Sequence, residues 1–241
     1  KPVAAAIGDA ERVLREVAGR DERVQIGFPR RFDAGYVAAR AAVAAGELGT
    51  VHTVRATTLD PAPPPPAYVA ASGGIFRDCS VHDIDAVRWV TGREVVEVYA
   101  TGSVHDPLFA EYDDVDTAAA TLTLDDGTLA LVSNTRFNPR GYDVRLELHG
   151  TADSIAVGLE DRLPLRSVEP GATFPAGPPH AFFMDRLADA FRAELAAFVE
   201  LAAGRIASPC TVADAVATSR VAEACTASLR ERRPVRIAAP A

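Results

Sequence analysis

Between Ser72 and Asp85 the chain reads Ser-Gly-Gly-Ile-Phe-Arg-Asp-Cys-Ser-Val-His-Asp-Ile-Asp. Asp78 and His82 are four apart, so on a helix they share one face. Asp85 is seven on from Asp78 and falls near the same stripe. A carboxylate, an imidazole and a second carboxylate, just after a Gly-Gly entry, can hold and pass a proton. His82 is the natural base, because an unperturbed imidazole titrates at about 6.5, near working pH. Asp78 can orient the ring, and a carboxylate one turn away raises the pKa of His82. The plainer possibility is a surface Asp/His pair worth roughly 0.2–0.5 kcal/mol.

Such a set needs a scaffold, and the composition supplies one. Apolar residues make up 48% of the 241 and charged residues 24%, the balance of a globular chain able to bury a core. The net charge of −8 opposes nucleic acid as a partner. Arg230 to Arg233 is a short basic cluster that suits a helix C-terminus. No apolar run reaches the length of a membrane span. Cys79, Cys210 and Cys225 fit no disulfide or metal spacing, which points to a reducing, cytoplasmic setting. The first residue is Lys1 rather than Met, so we expect a chain that begins inside a longer protein or after processing.

The periodicity predicts a helix over 3–18, with Ile7, Val13, Leu14 and Val17 on its apolar side and Gly19 as its stop. Val24 to Phe28 reads as a short buried strand. Asp33 can cap a helix running to about Ala45. Residues 50–59 alternate as a strand. The run Pro-Ala-Pro-Pro-Pro-Pro over 61–66 forms an extended loop into the motif. A helix then spans about Phe76 to Val90 and ends at Gly92, burying Ile84, Val87 and Trp89. Strands over 95–102, 115–124, 128–136, 142–149 and 154–157, joined by tight turns, predict an antiparallel meander. Residues 160–180 read as a surface loop. A helix over 181–203 presents Phe182, Leu187, Phe191, Leu195 and Phe198 as core. Thr211 caps a last helix to about Leu229, with Asp214 in the capping-box position. Val235 to Ile237 is a final strand. The class is α+β. No Gly-x-Gly-x-x-Gly occurs, so these residues carry no dinucleotide phosphate cradle of that kind.

Gly73-Gly74 with Asp78, His82 and Asp85 resembles the substrate-domain signature of the Gfo/Idh/MocA oxidoreductases, most closely their inositol dehydrogenase branch. Lys1-Pro2 resembles the end of that family's Glu-Lys-Pro motif. Gly27 to Asp33, Asp114 to Ala118, Asn134-Thr135-Arg136, Gly141 to Glu147, Phe182 to Arg186 and Thr211 to Val235 are similar to further family segments in the same order. The chain departs from the pattern at Pro29, where Asn or Met is common, and at Cys79-Ser80, where bulkier apolar residues are common. The resemblance implies a fold: an open, mostly antiparallel sheet with flanking helices, like the C-terminal domain of dihydrodipicolinate reductase. Residues 1–28 would be the tail of a Rossmann nucleotide-binding domain, and 29–241 the substrate-binding and oligomerisation domain.

The resemblance also implies an activity: hydride transfer between NAD or NADP and a secondary alcohol of a polyol or sugar. The cofactor would be bound mainly by a nucleotide-binding half before Lys1, and the enzyme would be a homodimer or homotetramer. His82 would then be the base, Asp78 its partner, and Lys1 the group that polarises the reacting oxygen, with Lys1 and Pro2 touching the cofactor. Asp85 either accepts a hydrogen bond from a substrate hydroxyl or pairs with Arg88. Tyr142, Asn134 and Arg136 are candidates for the pocket wall, though Tyr142 can equally pack on the sheet. Arg30 and Arg31 are read as braces of the domain junction. His52, His105, His149 and His180 show no partner pattern. Cys79 has no basic neighbour in sequence to make it a nucleophile. No metal-ligand spacing is visible. The reading in another class is a non-catalytic sugar-binding or oligomerising module.

Overall fold

The computed structural model describes residues 1–4 and 6–238. Among the described residues the eight α-helices are α1 (Ile7–Glu16), α2 (Ala34–Ala44), α3 (Pro66–Ser72), α4 (Val81–Thr91), α5 (Pro107–Glu111), α6 (Phe183–Arg186), α7 (Ala188–Ala202) and α8 (Val212–Glu231). Seven strands are β1 (Val51–Leu59), β2 (Val95–Ser103), β3 (Thr117–Leu124), β4 (Leu129–Thr135), β5 (Asp143–Gly150), β6 (Ser154–Val157) and β7 (Val235–Arg236). They form one open sheet in the order β6-β5-β1-β4-β3-β2-β7.

Alternation decides which face is covered. Val54 and Ala56 of β1, Ala118 and Ala120 of β3, Ala130 and Val132 of β4, and Val144 and Leu146 of β5 all point to one side and are buried. They pack with Tyr36 and Ala39 of α2, Ile84 and Val87 of α4, and Val221 and Cys225 of α8 in a single core. The opposite face carries Tyr99, Leu129 and Leu131, all exposed.

The sheet is mostly antiparallel as expected, but it is not a meander. β1 lies between β4 and β5, parallel to β4 and antiparallel to β5. A strand from earlier in the chain therefore fills the gap that a β4–β5 hairpin would have closed. Val24 to Phe28 joins no strand. It is held by backbone bonds instead, with the Ile26 amide donating to the Cys210 carbonyl at 2.8 Å. Val3 and Ile26 then pack beside Phe28 and Val81, which brings the first residues of the chain to the start of α4.

Local signals held where their partners lie within a few residues. Asp33 accepts from the amides of Gly35 and Tyr36 at 3.0 and 3.3 Å, capping α2. Thr211 and Asp214 form a reciprocal capping box on α8. Thr211→Ala is expected to lower the unfolding free energy by about 1 kcal/mol, read as a lower urea midpoint at constant slope.

Two predicted helices are interrupted. The first opens with a π-helical turn over Phe76–Ser80, and only from Val81 is it α-helical. The second breaks at Leu187, between α6 and α7. Its apolar positions are not all core: Leu187 is buried, but Phe182, Leu195 and Phe198 are exposed. Periodicity marked the stripe correctly, but it carries no information about what covers that stripe.

Candidate functional site

The strand order builds the site. In the parallel pairing Leu59 of β1 stands opposite Thr135 of β4; in the antiparallel pairing it stands opposite Asp143 of β5. The next residues out are Asp60, Arg136 and Tyr142, so three distant segments meet at one corner of the sheet. The Asp60 amide donates to the Thr135 carbonyl at 2.9 Å and fixes that corner.

The α4 motif is delivered there by its glycines. Gly73 and Gly74 have φ of 80° and 90°, a left-handed backbone that favours glycine. A Cβ on Gly74 would meet the Asp114 carboxylate at 3.1 Å, and that carboxylate accepts from the next amide, Ile75, at 3.0 Å. The turn out of α3 thus aims the π-helical turn and the start of α4 at the corner. π-Helical turns of this kind are frequent at functional sites.

A cleft of about 680 Å³ results, in the size range of small-molecule sites. Lys1, Asp60, Tyr68, Asp78, His82, Arg136 and Tyr142 line it, as do the Pro61–Pro65 loop and Phe182, Phe183, Leu187 and Phe191. Asp78 is the hub. Its carboxylate accepts from Tyr68 Oη and from Arg136 Nη2, each at 2.7 Å, and Lys1 Nζ lies 3.5 Å away. Lys1 Nζ also donates to the Asp78 carbonyl. Arg136 turns its other end to Asp60 at 2.7 Å. His82 meets Phe28 edge-on, with ring centroids 5.9 Å apart.

Each charge state has a physical cause. Burial pushes the Asp78 carboxyl up, but Lys1 and Arg136 outweigh it and hold Asp78 below the ordinary carboxylate value. Burial raises Asp60 against the pull of Arg136. Burial lowers Lys1, and the neighbouring Asp78 restores part of that loss. His82 does not rise as the sequence suggested. Burial, with Lys1 and Arg30 adding to it, holds the imidazole well below its ordinary 6.5. The Asp78 carboxylate is engaged by Lys1, Arg136 and Tyr68 rather than by the His82 ring. A neutral imidazole therefore faces the cleft beside an ammonium and a fixed carboxylate. Such a group can take a proton from a hydroxyl while Lys1 favours the developing negative charge on that oxygen.

Of the sequence-derived candidates, the structure brings together Lys1, Asp78, His82, Arg136 and Tyr142 around one cleft. Pro2 is partly buried and does not line it. Asp85 is a correction on both of its readings. It is 1% exposed and forms a two-pronged pair with Arg31, at 2.9 and 2.7 Å, facing neither the cleft nor Arg88. Arg88 instead takes Glu94 and Thr218. Asn134 is also a correction: it is buried away from the cleft and donates to Asp83 at 2.7 Å. The same Asp83 pairs with Arg30 at 2.5 Å and accepts from Thr58, so Arg30 is committed to a buried ion pair as Arg31 is to Asp85, with partners in β1, α4 and α8 rather than across a boundary near residue 28. His105 and His180 have acidic partners after all, Asp116 at 2.9 Å and Glu160 at 3.1 Å. Burial pushes the Cys79 thiol well above its ordinary value, which suits an inert side chain.

Sequence reasoning missed Asp60, Tyr68 and the aromatic wall. Tyr68 sits on α3, a helix of seven residues that begins at the last proline of the loop. Proline at the first turn of a helix is a recognised start signal and was available in the sequence. Among the described residues, no group of three or more His, Cys, Asp or Glu side chains is placed to hold a metal, and no helix is long and apolar enough to cross a membrane.

Comparison with known proteins agrees with this architecture. The family model of the GFO/IDH/MocA C-terminal domain matches residues 36–156. Inositol 2-dehydrogenase of Rhizobium meliloti is 36% identical over 236 residues, covering 95% of this chain and 71% of that protein. The crystal structure of a myo-inositol dehydrogenase from Corynebacterium glutamicum superposes with a TM-score of 0.88 at 34% identity, covering 100% of this chain and 72% of that one. That of a scyllo-inositol dehydrogenase from Lactobacillus casei, solved with NAD(H) and scyllo-inositol, superposes with a TM-score of 0.83 at 30% identity, covering 98% and 71%.

Proposed function

The chain belongs to the Gfo/Idh/MocA family of NAD(P)-dependent oxidoreductases, and from that premise we propose that the intact enzyme moves a hydride between NAD or NADP and a secondary hydroxyl of a polyol ring, inositol being the first candidate. The observation that carries this is the meeting of Lys1, Asp78 and His82 on one cleft. The donor set fits a nicotinamide reaction: an ammonium and a neutral imidazole face the space where an alcohol oxygen must lose its proton. When bound, the cofactor supplies the hydride acceptor. We assign the grip on its dinucleotide to a nucleotide-binding domain of which residues 1–28 are the tail, with Lys1 as this chain's contact to its reacting end.

In this proposal the imidazole of His82 takes the hydroxyl proton. Lys1 Nζ, held by both the carbonyl and the carboxylate of Asp78, stabilises the charge on the substrate oxygen. Arg136 and Tyr68 keep Asp78 ionised and still. Arg136 and Tyr142 belong to the wall, while Asp85 and Asn134 serve the buried ion pairs behind it. Copies of the chain would meet through the uncovered sheet face around Tyr99 and Leu131, as a dimer or tetramer.

The test is cofactor reduction by the intact enzyme with myo- and scyllo-inositol, offered NAD and NADP separately. The pH dependence adds an internal check. Protonated His82 cannot accept a proton, so kcat/KM must fall as the pH drops through its pKa. Because that pKa is lowered from 6.5, the acid limb is expected below pH 6.5. A profile already falling at pH 7 or above contradicts the assignment.

A further inference from the structure

Arg77 sits beside the hub of the site but does not line the cleft. It precedes Asp78 in the π-helical turn, and its side chain is partly buried. The stem runs over Gly73, where a Cβ would meet its Cδ at 3.3 Å and its Nε at 3.4 Å, so the glycine leaves it room. The guanidinium then forks. Nη2 donates to the Ala4 carbonyl at 3.2 Å, and Nη1 pairs with Glu223 of α8 at 3.0 Å.

Two neighbours in one turn therefore grip one segment at two points. Asp78 takes the tip of Lys1 through its carbonyl and its carboxylate. Arg77 takes the main chain three residues on, at Ala4. The second grip matters because an ammonium on a flexible four-carbon stem can reach one acceptor from many main-chain positions. Bonds to the tip alone leave the approach of Nζ to a substrate oxygen loosely set. Fixing the main chain as well removes that freedom before the reaction. Arginine suits the task, because its planar fork serves a carbonyl and a carboxylate at once. The fold itself does not depend on this fork. α1 docks on α8 separately: Ala10 packs with Val212 and Val216, and Glu11 takes Arg220 at 2.9 Å.

We propose that Arg77 is a positioning residue for Lys1: by holding the Ala4 carbonyl it sets the main chain behind Lys1, and so the place of Nζ at the reacting oxygen, from the same turn that carries Asp78. This rests on the dehydrogenase reading above, in which Lys1 stabilises the charge on that oxygen. The loss on removing the fork then falls on the chemical step and not on substrate affinity, and it requires that Lys1 be present.

The test compares the intact enzyme with its Arg77→Met, Lys1→Ala and doubly changed forms. The readout is the single-turnover rate of cofactor reduction with myo-inositol, taken at enzyme excess so that slow variants are still measured. Arg77→Met, which keeps the stem and loses the fork, is expected to lower the saturated rate about tenfold with the inositol KM nearly unchanged. In the Lys1→Ala background the same change is expected to cost about twofold or less, because the positioned group is gone. Arg77→Lys keeps a charge opposite Glu223 without the fork, and should lose roughly threefold or more, again only when Lys1 is present. That variant decides the matter if Arg77→Met does not fold. A loss of equal size with and without Lys1 shows a structural role and overturns the proposal. So does a parent-like rate in the Arg77 variants, or a loss carried by KM alone. If Lys1→Ala turns over like the parent, the role given to Lys1 fails and this inference falls with it. If Lys1→Ala is slow and Arg77→Met multiplies its loss by the same factor, only the inference falls.

Discussion

His82→Ala is expected to cut kcat of the intact enzyme by about 10²–10⁴-fold, the usual contribution of a positioned general base, while the unfolding midpoint stays near that of the parent. The side chain makes one edge-on aromatic contact, with Phe28, and it faces the cleft rather than the core. Truncation therefore removes the proton acceptor together with the Phe28 contact. The loss should fall on kcat more than on KM, because the proton moves in the transition state and not on binding. Added imidazole should restore part of the rate by entering the space vacated. Unchanged turnover would remove His82 from the mechanism, and a large fall in unfolding midpoint would recast it as structural.

Asp83→Ala is expected to produce the largest stability effect, about 3–5 kcal/mol, measured as a lower denaturant midpoint. Asp83 is fully buried and accepts from Arg30, Thr58 and Asn134. Removing it leaves the Arg30 guanidinium, itself 2% exposed, without its counter-charge and with the Thr58 hydroxyl as its remaining side-chain hydrogen-bond partner. Breaking one half of a buried pair is costly because the remaining charge stays desolvated. The double change Arg30→Met with Asp83→Ala should recover part of the loss by removing the orphaned charge. A single mutant as stable as the parent would show that Asp83 is not the anchor of this network. Activity should fall in Asp83→Ala as well, since Thr58 and Arg30 both line the cleft.

These two residues mark what was and was not legible beforehand. His82 stood out because its partners in the motif are local: the Gly-Gly entry, Asp78 one turn back and the helix that carries them. The caps at Asp33 and at Thr211 with Asp214 were legible for the same reason. Asp83 was not, because its partner Arg30 lies 53 residues away and only the tertiary fold brings them together. Asp85 shows the same failure more sharply. Arg88, three on in sequence, was the obvious partner, and Arg31, 54 residues back, is the real one.

Asp60 was hidden by topology. As the residue after a strand in a meander it has no reason to meet Arg136; as the residue after a strand parallel to β4 it must. Periodicity identifies a strand and its inward face, but it does not say which strand will be its neighbour. The fold class and open sheet were therefore readable, while the one parallel pairing that assembles the site was not. The aromatic wall failed for a different reason. Phe182 and Phe191 carry a helical apolar spacing, which a buried core and a ligand cleft produce equally well.

The most direct test of the proposed reaction follows one hydrogen atom. The intact enzyme is given inositol deuterated at its ring carbons, together with oxidised cofactor, and the reduced cofactor is analysed by mass. Direct transfer in the cleft requires one deuterium per reduced nicotinamide, with no label exchanged into water. Reduced cofactor carrying no deuterium, or no reduction with any polyol offered, would contradict it.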